Sequence, residues 1–535
     1  MGKRDLLFAI LVLGGVTALG SSLALPRSKP EGEPKAVVVD RPSVVDSVDA
    51  AFRQRWADQG LKPVPKASDL ARMRRVSLAL TGSIPSLEEI RAFEARPADD
   101  RLAWWLETLL DDRRSSDYLA ERLARAFVGT EGGPFLVYRR RRFVSWLGDE
   151  LMRNRPYDDL VRDLIAGRGI WTDHPSTNFI SVTFDPDNTK NYDPERLAAR
   201  VARAFLGVRI DCAQCHDHPF QSWKRSDFRG LAAYFGEVEH TLRGIADTGG
   251  GFLVDDKKDG HPVAIEPRVP FLEELDPGYG TRRERLARWV TDPRNLNFRR
   301  ATTNRIWALL FGRALVEPID DVPSAGEPLA PLELLAEDFA ESGFNLRHLI
   351  RSIASTEAFA LDSAAEADSE PATTLEAAWA AFPITRLRPE QVAGALLQAA
   401  RPETINSESH ILVRLGMYGG VNEFVGRHGD PGEEEFNLEG SSTIPQRLLM
   451  MNGDLVHKKT KEDLTNASTR FAILAPTDKI AVEVAYLATL TRRPTSEEAA
   501  HFEARLAGTS GDERKERMTD LVWALLNATE FSWDH

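Results

Sequence analysis

Two stretches far apart in the chain use the same device, and it limits the fold to helices joined by tight turns. In the first, Leu70–Leu80 runs into Thr81-Gly82-Ser83-Ile84-Pro85 and then Ser86-Leu87-Glu88-Glu89-Ile90. In the second, Leu490-Thr491-Arg492-Arg493-Pro494 runs into Thr495-Ser496-Glu497-Glu498. Both are followed by Phe-Glu-Ala-Arg, at Phe93–Arg96 and Phe502–Arg505. A Ser or Thr three residues before a Glu is a capping box, in which each side chain satisfies an amide the other's backbone leaves open. The device predicts a helix, a turn and a capped second helix, used twice. It points to two related α-rich halves.

Helical spacing continues between them. Val44, Val48, Ala51, Phe52 and Trp56 form an apolar stripe in a helix opened at Ser43, where Ser43 and Asp46 have the spacing of a box. Further helices are expected over 101–110, 118–127, 143–153, 157–166 and 195–206, the last ended by Gly207. The run from Trp223 to Phe235 is aromatic-rich and helical in period. After 281, helices are expected over 282–290, 331–342, 346–355, 388–400 and 444–451, around the block Asn304–Arg313. Residues 248–269 have no helical period and read as irregular or short β. Residues 362–374 and 417–440 read as loops. Alternation of the strand kind is scarce, so the fold class is mainly α, with two α-helical domains, irregular loops and little β.

The N-terminus reads as an export signal. Lys3 and Arg4 precede the uncharged run Leu6–Leu25, and Ser22-Leu23-Ala24 resembles a small-residue cleavage site. The run is nearly long enough to span a bilayer, so residues 1–25 are a signal peptide or a membrane anchor. Residues 26–42 are a Pro-, Lys- and Glu-rich tether. The expected order is then a domain over 43–255, a linker over 256–281 and a second domain over 282–535. In either case the bulk lies outside the cytoplasm, in a periplasm or cell envelope. A net charge of −13 leaves no basic surplus for phosphates, which argues against nucleic acid as a partner.

The chemistry-bearing stretch is Cys212-Ala213-Gln214-Cys215-His216-Asp217-His218-Pro219. It holds both cysteines of the chain. Cys-x-x-Cys-His is the pattern for covalent haem c. Each thiol adds to one vinyl group of the same ring edge, and the next residue, His216, is placed to give the iron its proximal imidazole. Two other readings stand beside it. The cysteines can close a disulfide, as they do outside the cytosol. Alternatively, zinc or another divalent metal can be bound by His216 and His218, with Asp217 or the thiols completing the set. His218 lies too close to His216 to be the iron's opposite axial ligand. Met450, Met451, His240 and His457 are candidates for that place. Asp320-Asp321 suits caps and turns better than a cation.

Several of these motifs resemble a pair of known families. Cys212–Phe220 with Trp223 and Asp227-Phe228, Leu80-Thr81-Gly82 with Pro85, and Pro156-Tyr157-Asp158 with Ala166-Gly167 resemble the planctomycete cytochrome-c-like domain of unknown function. Asn304-Arg305 to Gly312-Arg313, Asp320-Asp321 and Gly343-Phe344 resemble the planctomycete-specific domain that follows it. Many members carry a further cytochrome c domain with its own Cys-x-x-Cys-His, which this chain lacks. The resemblance implies a bacterial cell-envelope setting. Three functions follow as expectations: a haem-bearing electron-transfer protein with a redox partner; a metal-dependent enzyme acting on envelope or polysaccharide material; or a non-catalytic envelope scaffold.

Overall fold

The structure is a computed structural model. It describes residues 43–130, 137–185, 192–217, 223–255, 261–322, 329–363, 371–406, 409, 421–429 and 443–535. The signal and tether expected over 1–42 lie outside the described residues, as do His218 and most of 417–440. Among the described residues the fold is mainly α, with three two-stranded antiparallel sheets.

Helices of seven residues or more are labelled in chain order. The first part holds α1 (Val44–Asp58), α2 (Asp69–Thr81), α3 (Leu87–Glu94), α4 (Arg101–Leu110), α5 (Arg113–Val128), α6 (Arg140–Met152), α7 (Tyr157–Ala166), α8 (Pro194–Val201) and α9 (Arg225–Ala232). Two hairpins follow, β1 (Val238–Thr241) with β2 (Gly244–Asp247) and β3 (Phe252–Asp255) with β4 (Pro262–Ile265). The second part holds α10 (Arg282–Val290), α11 (Leu296–Phe311), α12 (Ala330–Glu341), α13 (Leu346–Ala354), α14 (Pro389–Ala399), α15 (Val421–His428), α16 (Ile444–Asn452), α17 (Asp454–Thr460), α18 (Ala467–Leu474), α19 (Asp478–Leu490), α20 (Ser496–Leu506) and α21 (Gly511–Asn527). Strand β5 (Thr385–Arg386) pairs with β6 (Trp533–Asp534).

The repeated device is present at both sites. Helices α2 and α19 each end on a left-handed residue, Gly82 at φ 65° and Thr491 at φ 57°, and a complete capping box opens the next helix. The two copies touch, since Arg493 bonds Glu94 at 2.6 Å and Arg74 donates to the Thr489 carbonyl. Ser43 makes no capping bond, because its backbone is already helical and turns the hydroxyl away from the amides it would satisfy. Helix α15 lies within the stretch read as a loop. Phe424 and His428, one turn apart, stack at 5.4 Å, and the helix packs on α14.

Helix α11 is the axis of the molecule. Every residue from Ala301 to Phe311 is buried, so it has no solvent face and must be wrapped on all sides. Helices α2, α12 and α13 surround it, and α1 packs on α12. Trp307 lies between Phe52 of α1 and Phe311, with ring centroids at 5.8 and 4.2 Å. Burying one such side chain contributes about 1.5–3 kcal/mol. Elements from both sides of 256–281 thus share one continuous hydrophobic core.

Candidate functional site

The Cys-x-x-Cys-His turn is built at the seam between the two parts. Asp193 caps α8, accepting the amides of Glu195 and Arg196. The helix then widens into a π turn over Ala202–Leu206 and stops at Gly207, φ 58°. A Cβ at Gly207 would sit 3.1 Å from Ala301 and 3.3 Å from Val322, so the close approach of α11 also requires glycine there. Arg305 of α11 reaches back and donates to the carbonyls of Arg203 and Ala204 in the wide turn. Arg209 pairs with Asp320 at 2.8 Å, and its amide donates to Asp321. The side-chain hydrogen bond to Asp320 holds the Arg209 guanidinium above its ordinary pKa. Asp320-Asp321 therefore anchors the approach to the motif, in line with the structural role expected of it.

Ile210–Gln214 forms a 3₁₀ turn, with Cys215 as its C-terminal residue. Ile210 and Ala213 point into the core, while Cys212, Gln214, Cys215, His216 and Asp217 are exposed. A 3₁₀ helix has three residues per turn, so positions i and i+3 eclipse. Cys212 and Cys215 accordingly share one outward face. They are not joined; both are free thiols. The turn is braced by Gln214 on Glu195 at 2.6 Å and by an Arg203–Asp211 ion pair.

His216 Nδ1 lies 2.8 Å from the Asp217 carbonyl. A carbonyl only accepts, so Nδ1 carries the proton and Nε2 presents its lone pair. This is the tautomer a metal-binding imidazole needs, fixed through its other nitrogen. The Asp217 carboxylate accepts the amide of Arg225 at 2.9 Å, at the first residue of α9. It ties the end of the motif to the first residue of α9, which sequence spacing alone did not reveal. Among the described residues no three His, Cys, Asp or Glu side chains gather as ligands for an ion.

The aromatic residues after the motif turn inward. Phe228, Leu231, Tyr234 and Phe235 are buried in the core, and Trp223 rests on Phe271 at 5.9 Å. Of the candidate opposite ligands, His240 binds the Tyr192 hydroxyl through Nδ1 at 3.0 Å and Met450 is buried. Met451 and His457 are exposed, on α16 and α17, which pack against α21.

The family model PSCyt2, described as a protein of unknown function (DUF1549), matches residues 47–240. PSD1, also described as a protein of unknown function (DUF1553), matches residues 282–410. The chain belongs to the proteins that carry PSCyt2 followed by PSD1. No curated protein and no solved structure matches it. The motif turn lies in PSCyt2, and Asp320, Asp321 and Arg305, which hold its approach, lie in PSD1. No helix among the described residues is long and apolar enough to cross a membrane.

Proposed function

We propose that this PSCyt2–PSD1 protein is an exported, c-type-cytochrome-like redox protein of the cell envelope, released or tethered through residues 1–25. Cys212 and Cys215 would hold a haem through two thioethers, and His216 would offer its Nε2 to the iron. The chemistry a bound haem supplies is one-electron transfer, here with a partner protein. The chain's own part is orientation. The Asp217 carbonyl fixes the imidazole through Nδ1, and the Asp217 carboxylate pins the loop to α9.

One observation carries this reading. The two thiols are unbonded and exposed on a single face, next to an imidazole whose Nε2 is open. Neither the fold nor a disulfide uses them. The divalent-metal reading gains no such support, because among the described residues no three His, Cys, Asp or Glu side chains gather as ligands. His218 is then expected near the haem but not on the iron.

The test is expression in a bacterial host with active cytochrome c maturation. Haem retained under denaturing conditions, a Soret band and the mass of one added haem are expected. Cys212→Ala and Cys215→Ala should each weaken or abolish attachment. His216→Ala should disrupt the iron site, and His218→Ala should leave covalent haem in place. Protein matured in that host without haem mass or Soret band overturns the reading. Equal release of a bound zinc by His216→Ala and His218→Ala, with no haem, favours the metal site.

A further inference from the structure

Helix α15 is docked through a buried ring that can take a proton. His428, its last residue, is 5% exposed and stacks on Phe424, which is buried with it. The helix packs on α14 and α16. Its end is tied down by Gln446 of α16, whose amide donates to the His428 carbonyl and accepts from Arg386 of β5. His428 Nδ1 is buried with no hydrogen-bond partner among the described residues. In the neutral ring Nδ1 can be a bare acceptor. An imidazolium carries N–H on both nitrogens, so Nδ1 becomes a buried donor with nothing to accept it.

The surroundings do not welcome that charge. On α15 itself, Glu423 is exposed and paired with Arg427 at 2.7 Å. Glu390 is the one carboxylate on α14, and its Oε1 is held by Arg122 at 2.7 Å and by Arg388 at 3.2 Å. Helix α16 carries no acid, and its Arg447 adds to the positive field at Arg386. Four guanidiniums therefore gather around one carboxylate. Burial, and then the Arg386 guanidinium, push the His428 imidazole down to about 4, against the pull of Glu390.

We propose that α15 is an acid-released latch, docked on α14 and α16 while His428 is neutral and set free when the ring is protonated. A free imidazole titrates near ~6.5. The docked one resists protonation down to about 4. The released helix is thus the form that binds the extra proton. Docking is at full strength above about pH 6.5, weakens about tenfold for each unit down to about 4, and levels off below. The latch uses no residue of the Cys-x-x-Cys-His turn, so it stands or falls apart from the haem reading.

Hydrogen exchange of the full chain tests it, read by mass spectrometry from about pH 7.5 to about 4.5 and corrected for the intrinsic rate at each pH. Protection of the α15 amides should fall about tenfold per unit below about pH 6.5, while the amides of α11 keep theirs. His428→Phe keeps a ring against Phe424 and cannot take a proton, so α15 should stay protected across the range. If that variant fails to fold, Arg386→Gln supplies the second. It removes the nearby positive charge and should shorten the fall. Flat protection of α15 in the unaltered chain, a fall that persists in full in either variant, or loss at α15 and α11 together overturns the proposal.

Discussion

The seam between PSCyt2 and PSD1 and the Cys-x-x-Cys-His turn lie within a few residues of each other, yet their side chains behave in opposite ways. At the seam, buried residues of one part are committed to partners in the other. Tyr157 stacks on Phe298 at 5.7 Å and donates its amide to Phe344. Gly82 lies against Gly394, where a Cβ would come within 2.4 Å of the Gly82 carbonyl. Arg283 is fully buried and binds Asp247 and the carbonyls of Ile165 and Gly167. At the turn, Ala213 alone faces inward between the cysteines, and the two thiols and the imidazole face solvent. A side chain that packs is explained by its packing. One held outward on a braced turn, with reactive atoms and no fold partner, needs another explanation.

That contrast can be broken by substitution. The largest effect is expected at the seam. Arg283→Leu leaves Asp247 short of its buried partner and two carbonyls without a donor, and should cost about 3–5 kcal/mol in denaturant unfolding. Gly82→Ala follows at about 3 kcal/mol. It forces a side chain into φ 65° and puts a Cβ 2.4 Å from the Tyr118 ring.

Acid should weaken the second helix–turn–helix copy next. Hydrogen bonds from Arg492 hold Glu498 down at about 2, and Glu530, despite burial, is held at about 2 by His535 and Arg492. An unfolded Glu titrates near ~4.3. These carboxylates therefore contribute fully above that pH, and their contribution is lost as pH falls from about 4.3 to about 2. Urea midpoints measured across that range should fall, and less steeply in Glu498→Gln.

The smallest change in stability is expected at the turn. Cys212→Ser and Cys215→Ser should shift unfolding by less than about 0.5 kcal/mol, while weakening or abolishing the haem attachment proposed for them. A loss of several kcal/mol there would give the cysteines a structural role and erase the contrast.

Legibility in the sequence follows the same division. The boxes at Ser86–Glu89 and Thr495–Glu498 could be read because both partners lie within four residues. Gly207 could be read as a helix end for the same reason. The π turn before it could not, because its stray carbonyls are met by Arg305, about a hundred residues on. Nor could the Arg209–Asp320 pair, whose members sit 111 positions apart. At the site, the pattern of Cys212, Cys215 and His216 could be read, since spacing alone defines it. The occupation of Asp217 by the Arg225 amide was not, because Asp-rich loops carry no sign of which amide they will accept. The aromatic run after the motif was legible as helix, and its commitment to the core followed from ordinary packing.

The bond between Arg305 and the wide turn at Ala202–Leu206 bears on how such proteins are inherited. A gene cut between the two parts would yield a first half whose Arg203 and Ala204 carbonyls have lost their donor and whose Arg209 has lost Asp320. The residues just ahead of the cysteines would then lose these cross-part bonds. Recombination that separated the halves would open the shared core around α11 and remove the support of the Cys-x-x-Cys-His turn together. Lineages keeping that turn in working shape would thus retain both halves side by side, in this order.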